Sequence, residues 1–356
     1  MKTSEIKSIL KELTSTPALS GHESALHSTL NHLWSPYLDE VSISRVGSFQ
    51  ALRRGTSTQP CPELLVTAHM DSIGLMVSAI QDGFLRFTEI GGIDPRLLPG
   101  QMVTVHGKRD IPALIVQPPS FLLPVEFQNG IVTLHSLWGD CGLPPEKVNQ
   151  QVAIGDLVSF DQPFLEFEND MVCSPSLDNR ASLAALTYCI YELVNRQPAW
   201  DSWFVASVQE EETQAGALTS TFQILPKLAI VVDVTFANSP GTPSHKTFPL
   251  GDCIALGWGP TVHPYLYKTF QELADQLEIP YKIESFSRRS GTDADSLQLV
   301  AHGIPTMVVS IPLRYMHSAV EVVSIKDIQR AGRLIAEFIA GLEIDYLEKI
   351  KWDETN

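Results

Sequence analysis

The spacing of apolar residues changes along the chain, and each change marks an element. Near the N-terminus Ile6, Ile9, Leu10 and Leu13 recur at helical spacing, with Thr3 and Ser4 available as caps. Ser20-Gly21-His22-Glu23 fits a capping box ahead of a second helix carrying Leu26, Leu30 and Leu33. Val41 to Val46 alternates as a strand does. Glu63 to Ala68 reads as a buried strand that runs into His69-Met70-Asp71.

From Ser72 to about Gln162 the texture becomes that of an all-β unit. Short runs of high β-propensity recur at Ile73–Ile80, Phe84–Ile90, Met102–His106, Ile111–Gln117, Ile131–Leu134 and Leu157–Phe160. Turn clusters separate them, among them Asp82-Gly83, Gly91-Gly92, Leu98-Pro99-Gly100, Gly107-Lys108 and Gly139-Asp140. Closure of such short strands into a barrel is the expected solution. Because α/β texture precedes and follows this stretch, residues 72–162 read as an insertion into a domain built from residues 1–71 and 163–356.

After Ser176-Leu177-Asp178 a helix presents Leu183, Leu186, Ile190 and Leu193 on one face. Trp203–Val208, Leu228–Val234 and Thr306–Ile311 read as strands, with a short one at Ile283-Glu284. Gln214–Phe222, Pro264–Leu277, Ala294–His302 and Ile325–Leu342 read as helices. Strands alternating with helices predict an α/β fold with a mixed, mainly parallel sheet covered by helices.

Composition narrows the function classes. The net charge of −16 excludes the basic footprint that nucleic acid requires. No apolar run is long enough to span a bilayer, and the N-terminus lacks a signal-peptide pattern. Cys61, Cys141, Cys173, Cys189 and Cys253 are scattered and form no CxxC pair, which points to a reducing cytoplasm.

Candidate chemistry centres on Val205–Glu212, where an apolar run ends in Glu210, Glu211 and Glu212. Like charges crowded where a strand leaves the core are costly unless a cation sits among them. Taken alone, the cluster reads more readily as a solvated acidic loop. Other polar residues stand where strands or loops end: His69 with Asp71, Asp178, Asp233 and His317. Each has a plain alternative: a core histidine, a helix cap, a turn residue, a surface histidine. Together they form the nitrogen and oxygen set that zinc-class ions prefer. A pair of ions roughly 3.5–4 Å apart needs a bridging carboxylate, and a further carboxylate to serve as base. Asp71 is placed to orient the His69 imidazole.

These stretches carry a family resemblance. Ala68–Asp71, Ile73–Val77, Gly91–Asp94, Leu177–Arg180, Val208–Glu211, Asp233–Thr235, Gly291–Ala294 and Ile311–Ser318 resemble, in order, the motifs of the deblocking or glutamyl aminopeptidases. These are the tetrahedral (TET) dinuclear metallopeptidases, some of which have carried endoglucanase or fructose-operon labels. The resemblance spans nearly the whole chain. It implies a zinc-exopeptidase-like domain with a PDZ-like dimerisation insert, and a homo-oligomer, a dodecamer built from dimers. It implies two divalent ions per subunit, zinc with cobalt or manganese as alternatives. His69, Asp178 and Asp233 would hold one ion, and Asp178, Glu211 and His317 the other. Glu210 would be the general base, with Asp71 catalytic beside it. Asp293, Arg314 and Phe236 are candidate substrate contacts. Asn179, Glu212, Thr213 and Phe236 depart from the usual family pattern.

The reading is a metal-dependent aminopeptidase acting on peptide substrates. One rival is a glycoside hydrolase using Glu210 and a second carboxylate, which leaves His69, Asp178, Asp233 and His317 without a task. The other is a catalytically silent assembly protein, which would bind no metal tightly.

Overall fold

The computed structural model describes residues 1–57, 60–123, 125–128, 130 and 132–351. Three strands, β1 (Glu40–Ile43), β2 (Phe49–Arg53) and β3 (Glu63–His69), follow the N-terminal helices. The middle of the chain supplies β4 (Gly74–Gln81), β5 (Phe84–Ile90), β6 (Met102–His106), β7 (Asp110–Val116), β8 (Trp138–Asp140) and β9 (Leu157–Phe160). The rest supplies β10 (Leu165–Phe167), β11 (Met171–Ser174), β12 (Asp201–Ser207), β13 (Leu228–Phe236), β14 (Ile254–Trp258), β15 (Tyr281–Ser285), β16 (Thr306–Arg314) and β17 (Glu321–Ser324).

Among the described residues, eleven strands form one sheet in the order β1-β2-β12-β3-β13-β16-β17-β11-β10, with β14 and β15 branching from β16. Its centre, β12-β3-β13-β16, is parallel, the remaining pairs along that order are antiparallel, and in the branch β14 pairs β16 antiparallel and β15 parallel. Helices on both faces bury the central strands, which is why β13 reads as the unbroken apolar run Leu228–Val232. The helix Leu177–Leu193 is buried over most of its surface and packs against the sheet and against the helix Ile325–Gly341, which also touches the sheet. Helix Thr3–Thr14 lays Ile6, Leu10 and Leu13 into the same core.

The other six strands close a barrel in the order β4-β5-β8-β7-β6-β9. Along β7, Ile111, Ala113 and Ile115 point inward and alternate with exposed neighbours, the period of a half-buried strand. Leu75, Val77, Leu85, Val103, Val105 and Val158 complete a core separate from that of the large sheet. Asp82 and Gly83, both with positive φ, form the two-residue turn that joins β4 to β5.

Several local expectations are corrected. Leu134–Ser136 is a 3-10 turn rather than the end of a strand, and Ile131 lies outside the described residues. The strand in that region is β8, where Gly139 packs against Phe87 with no room for a Cβ. Helix Ala294–Leu297 stops well short of His302. Glu23 does not cap a following helix: its Oε1 accepts the backbone N–H groups of Gly21 (2.7 Å) and Gln209 (3.0 Å). Strands β13 and β16 run further than expected, to Phe236 and Arg314, and Asp233 lies within β13. No helix among the described residues is long and apolar enough to cross a membrane.

Candidate metal centre

The parallel strands deliver their polar residues to one place, outside their carboxyl ends, where open α/β sheets form sites. His69 is the last residue of β3 and pairs in register with Ser207, the last of β12. Gln209, with φ +59°, then turns the chain so that Glu210 and Glu211 face the site. Asp233 comes from the adjacent β13, and Asp178 from the start of the helix that follows β11. His317, also with positive φ, lies in the loop between β16 and β17.

Two clusters result, sharing Asp178. His69 Nε2 lies 3.1 Å from Asp178 Oδ1 and 3.7 Å from Asp233 Oδ1. His317 Nε2 lies 3.3 Å from Asp178 Oδ2 and 3.4 Å from Glu211 Oε2. Within each cluster the candidate ligand atoms lie within 4.8 Å of one another. Glu210 belongs to neither, with Oε2 3.9 Å from His69 Nε2. The site opens into a cavity of about 380 Å³ whose walls include Phe236, Phe286, Glu284 and Met316.

Surrounding contacts fix these groups. His69 Nδ1 faces the backbone carbonyl of Asp71 at 3.2 Å, leaving Nε2 toward the carboxylates. Asp71 accepts the backbone N–H of Glu210 on Oδ1 (3.0 Å) and that of Glu211 on Oδ2 (3.1 Å). His317 Nδ1 meets the carbonyl of Gly92 from the barrel at 2.7 Å. Glu212 accepts the Gly91 N–H at 2.7 Å, so one residue that departs from the family pattern ties the barrel to the site. Asn179, another, donates to the Val232 carbonyl at 3.1 Å, and Thr213 bonds to Gln209.

The electrostatics show how much negative charge is gathered. Burial opposes the His69 imidazolium, yet Asp178, Asp233 and Asp71 hold its pKa well above the usual histidine value. Against the same burial, Asp178, Glu211 and Glu321 lift His317 to about 9. Burial works against the Asp178 carboxylate, but the two histidines hold it well below the usual carboxylate range. Burial pushes Glu210 up to about 10, with Asp233, Asp293 and Glu211 adding to the rise against the pull of His69. Burial and Asp178 raise Glu211 to about 8. Protons are thus retained where cationic charge is short. Glu211 Oε1 is also buried without a hydrogen-bond partner among the described residues. Imidazole nitrogens and carboxylate oxygens at these distances fit a divalent cation, which would take the place of those protons.

The remaining candidates sit at different depths. Phe236 is exposed on the cavity wall. Asp293 is buried behind the wall, accepts the Ser207 hydroxyl at 2.5 Å, and is raised to about 7 by burial, with Asp233 and Asp71 adding to it. Arg314 donates through Nε to the Asn238 carbonyl at 2.6 Å and does not line the cavity. Two residues escaped sequence reasoning. Glu321 is buried and accepts backbone N–H groups of Asp178 and His317. Arg180 is fully buried; desolvation lowers it to about 10 while Asp71 and Glu23 oppose the fall, so it remains a cation behind the acidic site. The signal for Glu321 was an acid four residues after His317, and for Arg180 a charge inside an apolar helix that closes the Leu177–Arg180 motif.

Known proteins match both sequence and geometry. The family model for M42 glutamyl aminopeptidase matches residues 47–334. A lysyl aminopeptidase of Pyrococcus furiosus is 32% identical over 342 residues, covering 94% of this chain and 97% of that protein. The structure of an aminopeptidase from Desulfurococcus kamchatkensis superposes with a TM-score of 0.91 at 30% identity, covering 99% of each chain. The TET1 peptidase of Pyrococcus horikoshii, described as assembling into a tetrahedron or a large octahedral shell, gives 0.82 at 26% identity over 95% of this chain and 100% of its own. A match of this extent, to the family model and to relatives nearly end to end, shows that the chain belongs to the M42 glutamyl aminopeptidase family of peptide-bond hydrolases.

Proposed function

We propose that the chain removes single residues from the N-termini of peptides. In this reading His69, Asp178 and Asp233 hold one divalent ion, and Asp178, Glu211 and His317 hold a second, zinc in preference to cobalt or manganese. The observation that carries it is the pair of clusters joined through the two oxygens of Asp178. When bound, such ions supply Lewis acidity toward a scissile carbonyl and an attacking water.

The chain's own groups do the rest. Glu210, outside both clusters but beside His69, takes a proton from the nucleophile and returns it to the leaving amine. Its burial favours holding that proton between the two transfers. Asp71 keeps Glu210 and Glu211 in register through their backbone amides and assists from behind His69. Phe236 contacts the substrate from the cavity wall, while Asp293 and Arg314 hold the chain around it.

Residues 72–162 are assigned to dimerisation, and the subunits to a homo-oligomer, a dodecamer built from dimers; the tetrahedron or octahedral shell described for the Pyrococcus horikoshii peptidase supports assembly of this kind. The cysteines are scattered and form no CxxC pair, which suits a cytoplasmic location. A glycosidase would use a carboxylate pair and leave both histidines idle, and the family match is to peptidases.

The test combines metal analysis of the purified protein with a panel of aminoacyl-anilides, free and N-acetylated, with and without chelator. Chelator-sensitive release from free amines alone is expected. A metal-free preparation, or hydrolysis indifferent to chelator, overturns the reading.

A further inference from the structure

Glu321 opens β17, the strand that pairs with both β11 and β16. Those two strands launch the loops carrying Asp178 and His317. The Glu321 side chain stands where the loops approach each other, and each of its oxygens takes one of them. Oε2 accepts the Asp178 N–H at 3.0 Å and Oε1 accepts the His317 N–H at 2.9 Å. The residue is 1% exposed.

We propose that Glu321 is a positioning residue for the second ion. It sets the spacing between Asp178 and His317 before that ion arrives and touches neither ion nor substrate. This rests on the proposed two-ion reading of the site. A buried carboxylate next to Asp178 adds like charge where negative charge is already crowded, so simple packing does not account for it. A carboxylate is suited to the task because both oxygens only accept, and two N–H groups face it. Its hold on the two clusters is uneven: Asp178 and His317, two of the three members of one cluster, hang from it, whereas of the other cluster it holds only the shared Asp178. Asp71 makes the equivalent contact with Glu210 and Glu211, so the site rests on two buried carboxylates that each span a pair of backbone amides.

Glu321→Gln keeps the shape, but it offers one acceptor and turns an NH2 toward the other N–H. Metal-stripped protein is titrated with Co2+ while bound cobalt per chain and the visible d–d absorbance are followed. In the wild type, uptake of two ions is expected. In Glu321→Gln the second ion weakens by roughly 10–100-fold, the usual cost of removing a group that orients a ligand, and the first, which shares only Asp178 with it, weakens less. Equal affinities in variant and wild type, or equal weakening of both ions, overturn the proposal. Absence of cobalt uptake by the wild type sinks the two-ion reading itself, and this inference with it. Should the variant not fold, hydrogen exchange on metal-free wild type still decides. Protected amides at Asp178 and His317 support a spacing set before metal binds, and exchange at exposed-amide rates overturns it.

Discussion

The carbonyl oxygen of Gly92 lies 2.7 Å from Nδ1 of His317, so the rim of the barrel touches a histidine of the catalytic sheet. This contact selects the tautomer with its proton on Nδ1 and leaves Nε2 free toward Asp178 and Glu211. The barrel is therefore part of the site and more than an appendage for association.

Gly92→Ala tests that contact. A Cβ at position 92 would stand 3.2 Å from His317 Nδ1, closer than ordinary van der Waals contact. The imidazole must shift by a few tenths of an ångström. We expect kcat/KM to fall by about 10-fold through loss of the second ion, within the range known for groups that orient metal ligands. Metal titration checks this: a loss confined to one ion fits, whereas unchanged affinity for both shows the rim to be incidental.

Much of the site was legible because apolar runs end in polar residues where strands leave the core. His69 after Leu64–Ala68 and Glu210 after Trp203–Val208 follow that rule, while Asp233 interrupts the apolar run of β13. The groups that hold them were not legible. Glu321 is an ordinary acid in sequence, and its role depends on β17, a strand of four residues that merges into the following helix. Gly92 acts through a carbonyl, which no side-chain pattern reveals. Strand β2 was also missed. Gln50 is fully buried between Phe49 and Ala51, so the alternation that marks a half-exposed strand is absent.

Asp327, which belongs to neither cluster, gives a pH prediction. It is fully buried; Oδ2 accepts the Gly251 N–H at 2.6 Å and Oδ1 meets Arg330 at 2.7 Å. Burial nevertheless raises it from 3.8 to about 6. A carboxyl whose pKa is raised on folding contributes stability that is full below its unfolded pKa and is lost as pH rises through its folded one. The difference in unfolding free energy, wild type minus Asp327→Asn, should therefore decline by up to roughly 3 kcal/mol between pH 4 and 7. Denaturant titrations of both metal-stripped proteins measure it. A flat difference, or one that grows with pH, contradicts the assignment.

Assembly offers another test. Phe121 and Leu122 are 75% and 67% exposed beside the barrel, an unusual placement for large apolar side chains unless another surface covers them. Sedimentation velocity at micromolar concentration should show an oligomer, and the double substitution Phe121→Asp, Leu122→Asp should yield a smaller species. A wild-type monomer would end the assembly proposal.

Glu210 and Glu211 are adjacent and chemically identical, yet the structure places them differently. Asp71 holds both backbone amides, which sends the side chains to separate targets. Glu211 Oε2 reaches His317 Nε2 at 3.4 Å, whereas Glu210 lies outside both clusters. In Glu210→Gln the size is kept but no proton can be accepted. Metal content should stay near wild type while kcat falls by roughly 10²–10⁴, the usual worth of a positioned acid–base group. In Glu211→Gln a neutral amide replaces an anionic oxygen. Affinity for one ion should drop, and excess metal should restore part of the rate. Full metal without rescue is thus the signature of Glu210→Gln, and depleted metal with partial rescue that of Glu211→Gln. Exchanged signatures would reverse the two roles and leave the site standing. If neither substitution altered metal or rate, the acidic cluster would be a feature of the surface and the proposed chemistry would have no centre.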